Sequence, residues 1–78
     1  MQTGSLIIES YPPGAEIYID NTLVLDENGK PGLTPAMLTV TTGYHDIKLV
    51  LEGYCNEFDG QYIMKDENIN IYHNFNIC

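Results

Sequence analysis

The sequence predicts an all-β fold, a small antiparallel β-sandwich of about six to seven strands, and three observations carry that reading. Apolar side chains recur at every second position through residues 5–10, 15–20, 38–41 and 44–52, the period of a strand with one buried face. Gly, Pro, Asn and Asp clusters interrupt these runs roughly every ten residues, the punctuation of a sandwich built from short strands. No window shows an apolar period of 3.6 residues, so no helix is predicted.

The elements follow in order. Residues 5–10 form the first strand, with Leu6 and Ile8 inward and Ile7 and Glu9 outward. The ladder must stop at Pro12 and Pro13, whose nitrogens carry no hydrogen, and Gly14 supplies the positive φ of a tight turn. Ala15, Ile17 and Ile19 then alternate with Glu16, Tyr18 and Asp20 in a second strand. Residues 21–33 read as a short excursion or edge hairpin tipped by Asn28 and Gly29. Thr34 and Pro35 restart the sheet, with Leu38 and Val40 inward and Thr39 and Thr41 outward. After Gly43, residues 44–52 give the cleanest alternation in the chain: His45, Ile47, Leu49 and Leu51 on one face, Asp46, Lys48, Val50 and Glu52 on the other. Residues 58–64 and 69–77 are predicted to close the chain as a hairpin around the KDEN turn at 65–68. The resulting core is Leu6, Ile8, Ala15, Ile17, Ile19, Leu38, Val40, Ile47, Leu49, Leu51, Tyr62, Ile71 and Phe75.

Length and charge restrict function. The 78 residues, 1–78, make a single domain. A domain this small buries only about 60% of the surface its unfolded chain exposes, so a crosslink or a neighbour would matter to it. The formal charge is −8, from 11 acidic residues against three lysines and no arginine. That balance repels phosphate backbones and argues against nucleic acid as a partner. It also disfavours an anionic membrane surface, and no apolar run is long enough for membrane insertion. The opening MQTGSLIIES has neither a basic start nor a long apolar stretch, so it is not read as a signal peptide.

The succession S-x-PPGA-x-I-Y-I-D, then G-L-TP, then G-Y-H-D-I-x-L, then E-G-Y resembles the PEGA domain, a small β-sandwich module named for its proline-glutamate-glycine-alanine turn. The resemblance spans about residues 4–77, and the order and spacing of the motifs make it specific. Pro13 stands where the eponymous glutamate would be, and the segment between Asp20 and Thr34 is longer than the family's usual glycine turn. The resemblance implies a repeated extracellular or envelope-associated module of surface-layer-like proteins, with no catalytic residues to carry over. The chain is accordingly expected to be an excerpt of a larger surface protein, monomeric as an isolated domain.

Residues able to carry chemistry have plainer readings. His45 and His73 both fall on inward faces, where a metal would need further converging ligands; packed, hydrogen-bonded histidines are the preferred reading. Asp26, Glu27 and Asn28 resemble a fragment of a calcium loop but lack its alternating ligands and distal glutamate, and read as a turn. No nucleophile stands beside a base, so no catalytic residue, metal or cofactor is expected. On the predicted last hairpin Met64 faces Ile69, Tyr62 faces Ile71 and Phe58 faces Phe75. The same register sets Cys55 opposite Cys78, with Cα atoms about 4.5–5.5 Å apart, within disulfide reach in an oxidising exterior.

The aromatic distribution supplies the functional alternative. Of six tyrosines, Tyr11, Tyr18, Tyr44 and Tyr72 fall at outward or corner positions where stacking platforms for sugar rings can be built, although tyrosine also packs well on strand surfaces. Two classes of function follow. One is a non-catalytic spacer or docking module whose partners are neighbouring domains or copies of the parent protein. The other is a glycan-binding module that uses those tyrosines.

Overall fold

Residues 2–78 are described by a computed structural model. Its strands are β1 (Thr3–Tyr11), β2 (Glu16–Ile19), β3 (Thr22–Leu23), β4 (Ala36–Thr41), β5 (Gly43–Val50), β6 (Glu57–Ile63) and β7 (Asn68–Asn74), and no helix occurs among the described residues. They form a three-stranded sheet in the order β4-β1-β7 and a four-stranded sheet in the order β3-β2-β5-β6. The fold is the expected all-β sandwich with one difference. β7 runs parallel to β1, so the three-stranded sheet is mixed, whereas every ladder in the other sheet is antiparallel.

The chain passes from the first sheet to the second through a locked corner. β1 ends at Pro12 and Pro13, and Gly14 turns the chain at φ 95°. Buried Thr34, twenty positions downstream, holds that turn: its hydroxyl accepts the N–H of Gly14 at 3.1 Å and of Ala15 at 2.9 Å, and lies 2.7 Å from Ser10 Oγ. Ser10 donates its single proton to the Pro12 carbonyl at 2.9 Å, so the proton between the two hydroxyls must come from Thr34. Every polar atom at the corner then has a partner, the condition for burying them at little cost. The S-x-PPGA and TP segments are thus two halves of one structure.

Residues 21–33 divide into two turns. Asp20 and Asn21, at φ 51° and 68°, make the two-residue turn between β2 and β3. Both left-handed positions suit Asp and Asn, which tolerate that region better than other side-chain-bearing residues. Beyond it a bridge between Leu25 and Pro31 closes a small hairpin. Asp26 Oδ1 accepts the N–H groups of Asn28 at 2.8 Å and Lys30 at 3.0 Å, so the DENG carboxylate is committed to its own backbone.

Leu6, Ile8, Ala15, Ile17, Ile47, Leu49, Ile63, Ile71 and Phe75 are buried between the sheets, and Ile19, Leu38, Val40 and Leu51 pack partly buried against them. One strand departs from the expected register. Tyr62 is 64% exposed and Phe58 70%, whereas Ile63 is fully buried. The reason is that the last two strands do not form a hairpin. β6 pairs with β5, β7 pairs with β1, and residues 64–67 arch from one sheet to the other. This arch is fastened to the start of β1, where the Ser5 N–H reaches the Glu67 carbonyl at 2.8 Å and the Asp66 N–H reaches the Thr3 carbonyl at 2.9 Å. Gly4 makes the crossing possible, because a Cβ there would stand 2.5 Å from Ile63 Cγ2 and 2.9 Å from the Met64 carbonyl. The expected opposition of Met64 to Ile69, Tyr62 to Ile71 and Phe58 to Phe75 is therefore corrected. Strands joined by an arch stack face to face, and the inward set on β6 is Glu57, Asp59, Gln61 and Ile63.

Candidate functional site

The flipped β6 register gathers aromatic side chains on the solvent face of the four-stranded sheet. Tyr18 on β2 pairs with Lys48 on β5, which pairs with Phe58 on β6; one step along, Asp46 opposes Gly60; one step further, Tyr44 opposes Tyr62. Period-2 alternation puts all of these on one face. Tyr44 is 60% exposed, so with Phe58 and Tyr62 it leaves three aromatic side chains in water on one face, a feature that in small soluble domains marks a contact site.

Gly60 gives that face its relief. Tyr44 leans along the strand into the space a side chain would occupy at position 60, and a Cβ there would run into its hydroxyl and ring. An open groove results over Gly60, lined by Tyr18, Asn21, Tyr44, Asp46, Lys48 and Phe58. Lys48 Nζ sits 4.6 Å from the Tyr18 ring centroid, a cation–π contact that holds both side chains. Asp46 holds the Tyr44 phenol above its ordinary value, first by hydrogen bonding to the hydroxyl and then by its charge.

The four tyrosines named from the sequence are divided between two surfaces. Tyr18 and Tyr44 lie on the groove face. Tyr11 and Tyr72 lie on the outer face of the three-stranded sheet, where Tyr72 opposes Glu9 and Tyr11 opposes Asn74. Phe58 and Tyr62 escaped the sequence reading because EFDGQYI splits cleanly into two faces without saying which is inside. Assigning its aromatic face to the core is the reasonable choice and the wrong one here.

The polar face of β6 turns inward because β7 brings it a histidine. His73 Nε2 lies 2.9 Å from Asp59 Oδ2 and Nδ1 lies 3.3 Å from Glu57 Oε1, while Gln61 Nε2 donates to Asp59 Oδ1 at 2.8 Å. Each ring nitrogen serves a different carboxylate, so this set clamps the two sheets together instead of converging on a point between them. No group of three or more His, Cys, Asp or Glu side chains able to hold a metal occurs among the described residues.

His45 ties the end of the same sandwich. Its Nδ1 lies 2.6 Å from Asp20 Oδ2 and its Nε2 lies 2.8 Å from the Thr41 carbonyl. Both partners are acceptors, and only the imidazolium can donate to both. The bond to Asp20 raises the His45 pKa above its ordinary 6.5. The Asp46 N–H, and then the bond to His45, lower Asp20 below its ordinary 3.8. The raised histidine contributes stability that is complete below its unfolded pKa and is lost as pH rises through the folded one. The lowered aspartate contributes above its unfolded pKa and is lost as pH falls through the folded one. The melting temperature is therefore expected to decline as pH rises above about 6.5, and to decline less in His45→Asn. Thermal melts across that range check it, and parallel profiles for the two proteins would exclude the contribution.

Cys55 and Cys78 are joined by a disulfide with Cα atoms 5.0 Å apart. They meet by a route other than a hairpin. After β7 the chain keeps one bond to β1, from the Phe75 N–H to the Tyr11 carbonyl at 2.9 Å, then crosses to the loop before β6. There Tyr54 bridges Ile77 and the Cys55 N–H reaches the Asn76 carbonyl at 2.8 Å.

The seven strands in two sheets, packed about one apolar core, define a small β-sandwich module. The PEGA domain family model matches residues 3–77, and the chain belongs to that family. Membership is consistent with a surface-associated module. No curated protein matches the chain.

Proposed function

We propose that the domain is a non-catalytic docking module of an extracellular or cell-surface protein, and that it makes contact through the groove face of its four-stranded sheet. The observation that carries this reading is the gathering of Tyr44, Phe58 and Tyr62 on one exposed face of the sandwich. Leaving such surface in water is costly unless something covers it. The Cys55–Cys78 bond supports the placement, because disulfides persist in oxidising exteriors and are rare in reducing cytosol. In this role the sandwich positions the parent protein against its surroundings by shape and surface chemistry.

Retention of the purified domain on purified cell-envelope material tests the proposal. The wild-type domain is expected to be retained, and Tyr44→Ser/Phe58→Ser to be retained several-fold less with an unchanged fold. Equal retention of the two would refute the groove face as the docking surface.

A further inference from the structure

We infer that the ligand of the groove face is a neutral glycan chain, seated over Gly60 between Tyr44 and Phe58. The inference rests on the docking reading and adds the chemistry of the partner. Three features of the groove carry it.

The first is the arrangement of polar and apolar groups. In a protein–protein contact, apolar and aromatic anchors fill the centre, charged residues are depleted there, and the polar groups form the rim. This face is built the other way. Lys48 stands in the middle of the Tyr18–Lys48–Phe58 row, and Asp46 stands beside the Gly60 floor, with the aromatic rings to either side. A protein partner would have to bury that central pair and replace most of its hydration. A pyranose instead offers hydroxyls around its edge and apolar C–H groups on its faces, so it can stack on the flanking rings while its hydroxyls meet Asp46, Lys48 and Asn21.

Spacing is the second. Tyr18 and Phe58 sit on strands that flank β5, about 10 Å apart at two strand separations. That is close to the span of two linked hexoses, so neighbouring sugar rings of one chain can reach both platforms. Gly60, opposite Asp46 in the next row, receives the hydroxyl end of Tyr44 where a side chain would stand, and any larger residue would displace Tyr44 across the groove.

Charge is the third. Of the two carboxylates lining the groove, Asp59 is taken up by His73 and Gln61, which leaves Asp46 beside the Lys48 ammonium, while the whole chain carries −8. Anionic polymers such as polyuronates are repelled at a distance, and a cationic polymer meets Lys48 beside Asp46, the other carboxylate of the groove being engaged by His73. A neutral, hydroxyl-rich chain is the class that fits both fields.

Titration calorimetry with neutral oligosaccharides of glucose, N-acetylglucosamine and mannose, alongside a polyuronate and a polylysine, tests the inference on the intact, oxidised domain. Binding is expected for at least one neutral series and for neither polyion. Phe58→Ala and Gly60→Val are each expected to weaken it roughly tenfold, the loss of one well-seated contact, while Tyr72→Ala on the opposite sheet leaves it unchanged. Gly60 is exposed and free of left-handed strain, so both variants keep the fold, which melting curves verify. Absence of binding to every neutral series, or equal affinity in Gly60→Val, overturns the inference. Envelope material digested with glycoside hydrolases matched to the neutral series tested separates the two readings. Retention that survives this treatment yet still depends on Phe58 sinks the glycan and keeps the docking face, whereas retention indifferent to Phe58 sinks both.

Discussion

Replacing Leu49 with alanine is expected to lower the unfolding free energy by about 2–5 kcal/mol. Leu49 is 1% exposed and lies on β5, inside the four-stranded sheet, paired with Ile17 on one side and Glu57 on the other. The backbone ladders on both flanks hold the strand in place, so the walls cannot collapse into the space the side chain vacates, and both the transfer and cavity costs are felt. For a domain of 78 residues whose total stability is of order 5 kcal/mol, that is a large share and sufficient to populate the unfolded state. Its neighbour Val50 points to the other face, and Val50→Ala is expected to cost under about 1 kcal/mol. Urea unfolding of both variants decides the matter. A Leu49→Ala midpoint close to wild type at unchanged slope would show that β5 does not carry the core.

The inward placement of Leu49 and Ile17 was legible in the sequence because local rules agree there. Alternation, the Pro12–Gly14 corner and the β-branched residues of β2 all select the same face, and a one-residue slip would expose Ile17, Ile47 and Leu49 together. The loop tip at Asp26–Gly29 was legible for a similar reason, since Asp and Gly chemistry acts within a few residues. β6 was not legible, and its case marks where local reasoning stops. Its two faces, Glu57/Asp59/Gln61 and Phe58/Gly60/Tyr62, are equally regular, and the choice between them is made by distant residues. Gly4 lets the 64–67 arch pass over β1, β1 offers β7 a free edge, and His73 arrives opposite Glu57 and Asp59. None of these is a neighbour of β6 in sequence. The groove was hidden by the same step, since Phe58 and Gly60 reach the solvent face only once the arch replaces the hairpin. Tyr18 and Tyr44 were recognisable as outward residues, but their company on that face depends on sheet order, which pattern alone does not give.

Breaking the Cys55–Cys78 bond is expected to cost about 3 kcal/mol and to free the C-terminal segment first. The bond closes a loop with a sequence separation of 23, and the loop-closure entropy returned to the unfolded chain sets the magnitude. The location sets the order of events. Past Phe75 the described residues hold this segment through few contacts: the Tyr54–Ile77 bridge, the Cys55 N–H to Asn76 bond and the disulfide. Ile77 is 82% exposed, so little burial replaces the crosslink once it is gone. The Tyr54 and Phe75 rings, 5.9 Å apart, pack at the inner limit of the segment and should keep β7 in place. Hydrogen exchange in reductant should therefore show the Cys55 amide losing protection while those of Leu6, Ile8 and Ile71 keep theirs. Urea midpoints measured with and without reductant give the energy, and Cys55→Ser/Cys78→Ser should match the reduced wild type and ignore reductant. Free-thiol titration of air-oxidised, unfolded protein comes first, and two reactive thiols there would refute the bond. Equal midpoints with and without reductant would show that the sandwich holds its end without the bond, and that the crosslink contributes nothing to stability.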